Sequence, residues 1–175
     1  MATDLVEIAG GRHHVVGLED DGDVVVWGWN RWNQIGDGTR VNRASPVTVP
    51  NLTAVDVTTG HYHSSILDTN GQVWAWGRNR FGQLGDGTTV DRSTPVQIAG
   101  ANNVEEIDGG RDHMVALLND GTLLTWGANV EGQLGTGNNN QQLSPTPVPG
   151  LSGVASIATG RVHSLAVLDL SLIHI

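Results

Sequence analysis

Short apolar runs separated by tight polar turns dominate this chain, and no window sustains a 3.6-residue apolar period. Asp21-Gly22, Asn70-Gly71 and Asp120-Gly121 each sit between two such runs. Asx-Gly pairs favour the positive φ angles of a two-residue hairpin, so each pair joins two antiparallel strands. The runs that follow, 24–27, 73–76 and 123–126, are rich in β-branched or aromatic residues, as strands are. In the second stretch the predicted strands cover roughly 54–58, 63–67, 72–76 and 95–98. Pro95 opens the last of them, which suits an outer edge where a missing backbone donor costs little.

The pattern recurs. The segment from Trp76 to Gly87 has a counterpart starting at Trp27, 49 residues earlier, and another starting at Trp126, 50 residues later. Eleven positions are identical in all three copies, among them Gly60, His63, Trp76, Asn79, Gln83 and Pro95. A fourth copy begins at Gly160 and His163. Four-stranded antiparallel units with periodic glycine and aromatic signals describe propeller blades. The fold predicted is all-β: a partial, open β-propeller of four-stranded antiparallel blades in one domain over 1–169. Its blades lie near 5–49, 54–98 and 104–148, with an incomplete blade from 154.

The G-x-x-H start, the D/N-G turn, the W-G-x-N and the G-Q-L-G-x-G together resemble the repeat of the regulator of chromosome condensation family, to about residue 168. Members usually close seven blades into a ring, so the resemblance implies a fragment of roughly half a propeller. After Asp169 the chain reads Leu170-Ser171-Leu172-Ile173-His174-Ile175. Those six residues are the translation of CTGTCTCTTATACACATC, a transposon end used in sequencing libraries, and the expectation is a non-native tail over 170–175.

Composition narrows the chemistry. Nine basic against eighteen acidic residues give a net charge of −9, and all nine basic residues are arginine. That balance argues against broad phosphate binding, so no nucleic-acid partner is expected from this segment. With no cysteine there is no disulfide, thiolate metal site or cysteine nucleophile. No apolar run approaches the length of a membrane span, and the compartment stays unassigned.

Residues that recur in register build the unit. His14, His63, His113 and His163 are expected to satisfy backbone groups of their own blade rather than to ring a metal. Trp27, Trp76 and Trp126 are expected to fill the wedge between neighbouring blades. The recurrent acids Glu7, Asp56 and Glu106 read as cross-blade acceptors or as the lining of a wet channel. No metal or cofactor is expected, and no catalytic set assembles. Ser64 beside His63, for example, points to the opposite face of its strand.

Function is therefore sought where the register breaks. Antiparallel order puts the corner between strands one and two on the same face as the long loops 29–45, 78–94 and 128–144. The corners carry Arg12-His13, His61-Tyr62, Arg111-Asp112 and Arg161-Val162, a basic inner rim in an acidic chain. The loops add Trp32, Arg40, Phe81 and Arg92. Arginine and aromatic residues on variable loops of a rigid scaffold are how binding surfaces are commonly built. The expectation is a non-catalytic protein-interaction scaffold that binds a protein partner through this face. The alternatives are a guanine nucleotide exchange factor for a small GTPase, as the resemblance implies, and a protein inhibitor of a secreted enzyme. The open ends of the arc are expected to self-associate.

Overall fold

The computed structural model describes residues 4–169, so the expectation for 170–175 lies outside the described residues. All regular elements are strands. Three open the first unit: β1 (Leu5–Gly10), β2 (His14–Glu19) and β3 (Asp23–Gly28). A long strand follows, β4 (Arg43–Thr59), then β5 (His63–Asp68), β6 (Val73–Gly77) and β7 (Arg92–Gln97). The third unit is β8 (Val104–Gly109), β9 (His113–Leu118), β10 (Leu123–Gly127) and β11 (Gln142–Pro147), and the last is β12 (Val154–Thr159) with β13 (Ser164–Leu168). Every neighbouring pair is antiparallel. The hairpin turns sit where the Asx-Gly pairs put them, with Gly22, Gly71 and Gly121 at φ +87°, +70° and +77°.

β4 is one strand where the sequence suggests two. Its first half pairs with β3 and its second half with β5, so one seven-stranded sheet holds two units that share it. The equivalent links later in the chain break at Gly100 and Gly150, both at positive φ; Asn51 holds that place in the first link, also at positive φ, and there the strand stays continuous. The outer strands also begin earlier than the proline suggests. β7 starts at Arg92, and its pairing with β6 slips between Ala75↔Val96 and Gly77↔Arg92. Pro95 lies inside that slip, on a strand with β6 as its only sheet partner, which is where a residue without an N–H fits.

The core lies between units. One cluster joins Val16, Val24 and Val26 of the first to Val57, Ile66 and Trp76 of the second. The next joins Leu67, Val73 and Ala75 to Met114 and Trp126, and a third joins Val115 and Leu123 to Val154 and Ile157. Trp76 and Trp126 are fully buried, and their indole Nε1–H groups donate to the Gln34 and Gln83 carbonyls of the preceding unit, at 2.9 and 3.1 Å. Trp27, with no earlier unit packed against it among the described residues, stays half-buried. An indole at one depth in each unit, tied to its neighbour's loop, sets the spacing of the blades.

The outermost faces are apolar and open. Leu5 and Ile8 on β1, and Leu165 and Val167 on β13, are exposed. A chain left with two such faces is expected to associate end to end at micromolar concentration. Sedimentation velocity reads this directly, and a single monomeric boundary would remove the expectation.

Candidate partner-docking face

Backbone geometry builds the inner rim. The Arg12 N–H donates to the His61 carbonyl at 3.2 Å, the His61 N–H to Arg111 at 3.2 Å, and the Arg111 N–H to Arg161 at 3.3 Å. This corner-to-corner chain holds Arg12, His61, Arg111 and Arg161 around a hollow of about 340 Å³ whose remaining wall is glycine and threonine. The side chains then differ. Arg12 donates to the Tyr62 hydroxyl at 2.8 Å, Arg111 pairs with Asp112 at 2.9 Å, and exposed Arg161 has no hydrogen-bond or ion-pair partner among the described residues. Burial lowers the pKa of His61; nearby Asp112 opposes the shift, and Arg111, Arg12 and Arg161 add to it.

A second repeated contact carries the face outward. The residue after Trp-Gly donates its N–H to the second corner residue: Trp29 to His13 at 2.8 Å, Arg78 to Tyr62 at 2.9 Å and Ala128 to Asp112 at 2.8 Å. Two positions that fail to repeat are thus brought together by a bond that does. In the first two units the result is a continuous cluster. The His13 ring meets Trp29 at 5.5 Å, and Trp29 meets Tyr62 at 5.7 Å. Arg78 lies 4.8 Å from the Trp32 ring and 5.5 Å from Tyr62, and Arg31 lies 5.6 Å from Trp32. Phe81 is half-buried beneath Arg80 at 5.4 Å.

The loops that carry these groups are braced by the asparagine of W-G-x-N. Fully buried Asn79 donates through Nδ2 to Asp86 Oδ1, the Thr88 carbonyl and the Val90 carbonyl at 3.0–3.2 Å, and accepts from the Leu84 N–H at 3.0 Å. Asn30 and Asn129 repeat most of this set. Asp86 in turn holds Arg92, its Oδ2 lying 2.6 Å from Nη2 and 2.7 Å from Nε. Arg92, expected on the docking face, is thus held by its own loop's carboxylate. It recurs in register as Arg43 on Asp37, and by the logic that recurrence builds the unit it belongs to the loop. Arg40 is exposed and only lightly held, by Asn33 Oδ1 at 3.3 Å. Asp112 is buried and committed to Arg111 and to Gln83 Nε2.

The histidines reach across units rather than within them, against the local reading. His14 Nε2 lies 2.9 Å from Ser64 Oγ, His63 Nε2 lies 3.2 Å from Met114 Sδ, and His113 Nε2 lies 3.1 Å from Ser164 Oγ. Each serine is itself a donor, Ser64 to the Gln34 carbonyl and Ser164 to the Gln133 carbonyl, both at 2.8 Å. These are stitches between blades. His163, with no further unit against it among the described residues, is exposed. The recurrent acids stitch as well: Asp56 accepts from the Ile107 N–H at 3.1 Å and Glu106 from the Ile157 N–H at 3.3 Å. Burial raises the pKa of Glu7, Asp56 and Glu106 alike.

Of the residues expected on the face, Arg12, His13, Trp32, His61, Tyr62, Arg111 and Arg161 lie on the rim or in the aromatic cluster. Phe81 borders a smaller hollow of about 130 Å³ shared with Arg111 and Arg161. Trp29, Arg31, Arg78 and Arg80 went unnamed. Their signal was available, since Trp29, Arg78 and Ala128 occupy one register position and differ.

Comparison with known proteins fits this geometry. The model of the RCC1-like domain matches residues 1–172. The ultraviolet-B receptor UVR8 of Arabidopsis thaliana is 40% identical over 45 residues, which are 26% of this chain and 10% of the receptor. Prp20p from Saccharomyces cerevisiae, a protein characterised by its binding to Gsp1p and histones, superposes with a TM-score of 0.84 at 25% identity, covering 97% of this chain and 44% of Prp20p. Human WBSCR16 superposes at 0.83 with 24% identity, over 95% of this chain and 45% of that one. The chain thus spans under half the length of Prp20p and of WBSCR16.

Proposed function

The chain belongs to the RCC1-like domain family, and from that membership we propose that it is part of a non-catalytic scaffold that seats a protein partner on its loop-bearing face. The observation that carries the reading is the contact between two non-repeating positions in each unit, which gathers His13, Trp29, Tyr62, Trp32 and Arg78 into one surface. Packing needs none of these identities, since Ala128 and Asp112 fill the equivalent places in the third unit. Rigid aromatic side chains backed by arginine suit a binding centre. Replacing Trp32 and Tyr62 together by Ala in the full-length parent is expected to remove most of the proteins it captures while leaving its melting profile close to that of the parent. An unchanged set of captured proteins would overturn the reading.

A second reading, guanine nucleotide exchange on a small GTPase, draws its support from the likeness to Prp20p. The 49- and 50-residue spacings leave no room in these units for an inserted wedge, which weighs against it. Accelerated release of fluorescent GDP from a small GTPase by the parent protein would establish exchange, and an unchanged rate across a GTPase panel would remove it.

A further inference from the structure

Charge is segregated across the propeller. Every arginine of the chain lies at an inner corner, in a loop after a third strand, or at the start of the outer strand that follows, all on one face. The hairpin turns at the other end carry acids instead, such as Asp20, Asp21 and Asp120. Three arginines are neutralised within the fold: Arg43 by Asp37, Arg92 by Asp86 and Arg111 by Asp112. Among the described residues the other six, Arg12, Arg31, Arg40, Arg78, Arg80 and Arg161, have no carboxylate partner.

Four of those six lie against aromatic rings. Arg12 is 5.8 Å from the Tyr62 centroid, Arg31 and Arg78 both lie over the Trp32 ring, and Arg80 covers Phe81. A ring occupies the flat face of a guanidinium and leaves N–H donors along its edge. Such a group is fixed in place yet still able to take a carboxylate in a paired, charge-assisted contact. We infer that this face receives an acidic polypeptide segment, its carboxylates pairing with Arg12 and Arg78 over the aromatic cluster and with Arg161 at the axial mouth. The inference rests on the docking reading above and names the chemistry of its partner.

Two features favour spaced carboxylates over a nucleic-acid backbone. The N–H groups of Arg12, His61 and Arg111 are spent on the corner-to-corner bonds, so the mouth offers few backbone donors to a phosphate. Behind the mouth, Glu7, Asp56, Glu106 and Asp108 stand on the inner strands and repel a continuous polyanion. A single side chain can enter there; a phosphate backbone meets the acids.

The test uses the full chain immobilised by one terminus and a random dodecapeptide library displayed on phage. The selected peptides are expected to be enriched in Asp and Glu. Arg12→Glu with Arg161→Glu is expected to weaken them by about tenfold or more, with a reduced dependence on salt. Asp20→Asn, on the opposite face, is expected to leave binding unchanged, and circular dichroism checks that each variant folds. Peptides without acidic enrichment that are nevertheless lost on Trp32→Ala would overturn the acidic inference and leave the docking reading standing. Peptides indifferent to Trp32→Ala and to both charge reversals would overturn the two together. Tighter binding of oligothymidylate than of any selected peptide would overturn the choice of polypeptide.

Discussion

Acidification from pH 7 to pH 5 is expected to strip the chain of most of its stability, through three imidazoles. His14, His63 and His113 are buried between units, each with one ring nitrogen, Nδ1, that meets no partner. Burial pushes their pKa values from 6.5 down to about 4, about 3 and about 4. In the unfolded chain they titrate near the ordinary value, so below it the unfolded state binds protons that the folded state refuses. The stabilisation is whole above pH 6.5 and is lost as pH falls toward 4. At pH 5 each imidazole has forfeited about 2 kcal/mol, and the three together roughly 6 kcal/mol. That is comparable with the whole stability of a typical domain, about 5–15 kcal/mol.

The inner carboxylates oppose this loss over a lower range. Burial raises Glu7, Asp56 and Glu106, so the folded state takes their protons more readily and gains stability as pH falls into that range. They soften the acid limb without removing it, because the imidazole window opens near pH 6.5. Urea unfolding followed by tryptophan fluorescence at pH 7, 6 and 5 gives the proton count from the slope. A loss approaching three protons, about 4 kcal/mol per pH unit, is expected between pH 6 and 5. A slope below one proton would show that the imidazoles are not held neutral.

The parts of this design differ in how plainly the sequence states them. The period, the hairpins and the tryptophan wedge were legible, because each depends on residues close in sequence or on one position repeated. The partner of His14 was not. Ser64 lies fifty residues on, and only the rotation from one blade to the next brings its hydroxyl within 2.9 Å. Reading His14 as a local backbone ligand assigned a between-blade contact to a single blade. Arg92 shows a different failure. Its recurrence as Arg43 was visible, yet its charge and loop position drew it toward the binding surface, and nothing in the sequence gives the 2.6 Å contact to Asp86. Trp29 and Arg78 were hidden in plain view. Their register position varies, but nothing local says that its N–H reaches back to the inner corner.

Gly60→Ala is expected to cost about 3 kcal/mol or more, although Gly60 sits in no unusual backbone conformation. Its constraint is close approach. A Cβ built there would stand 2.0 Å from His63 Cε1 and 2.5 Å from both His63 Nδ1 and the Gly110 carbonyl oxygen. The ring cannot swing away, because His63 is fully buried with Nε2 against Met114 Sδ. The carbonyl cannot retreat either, since Gly110 leads the next inner corner, whose Arg111 carbonyl accepts the His61 N–H. The same G-x-x-H collision recurs at Gly11, Gly110 and Gly160, where the modified position would meet its own histidine at 2.1–2.2 Å. Gly10 gives the contrast. A Cβ there meets nothing within 4 Å, and Gly10→Ala is expected to be tolerated. Urea midpoints of the two variants decide the point, and similar midpoints would mean that the corner can relax around a methyl group. Adding His63→Ala to Gly60→Ala separates the causes. With the ring gone, the alanine at 60 should cost less than it does beside the intact imidazole, because only the carbonyl contact remains. Equal costs in both backgrounds would place the whole penalty on the backbone of the neighbouring blade.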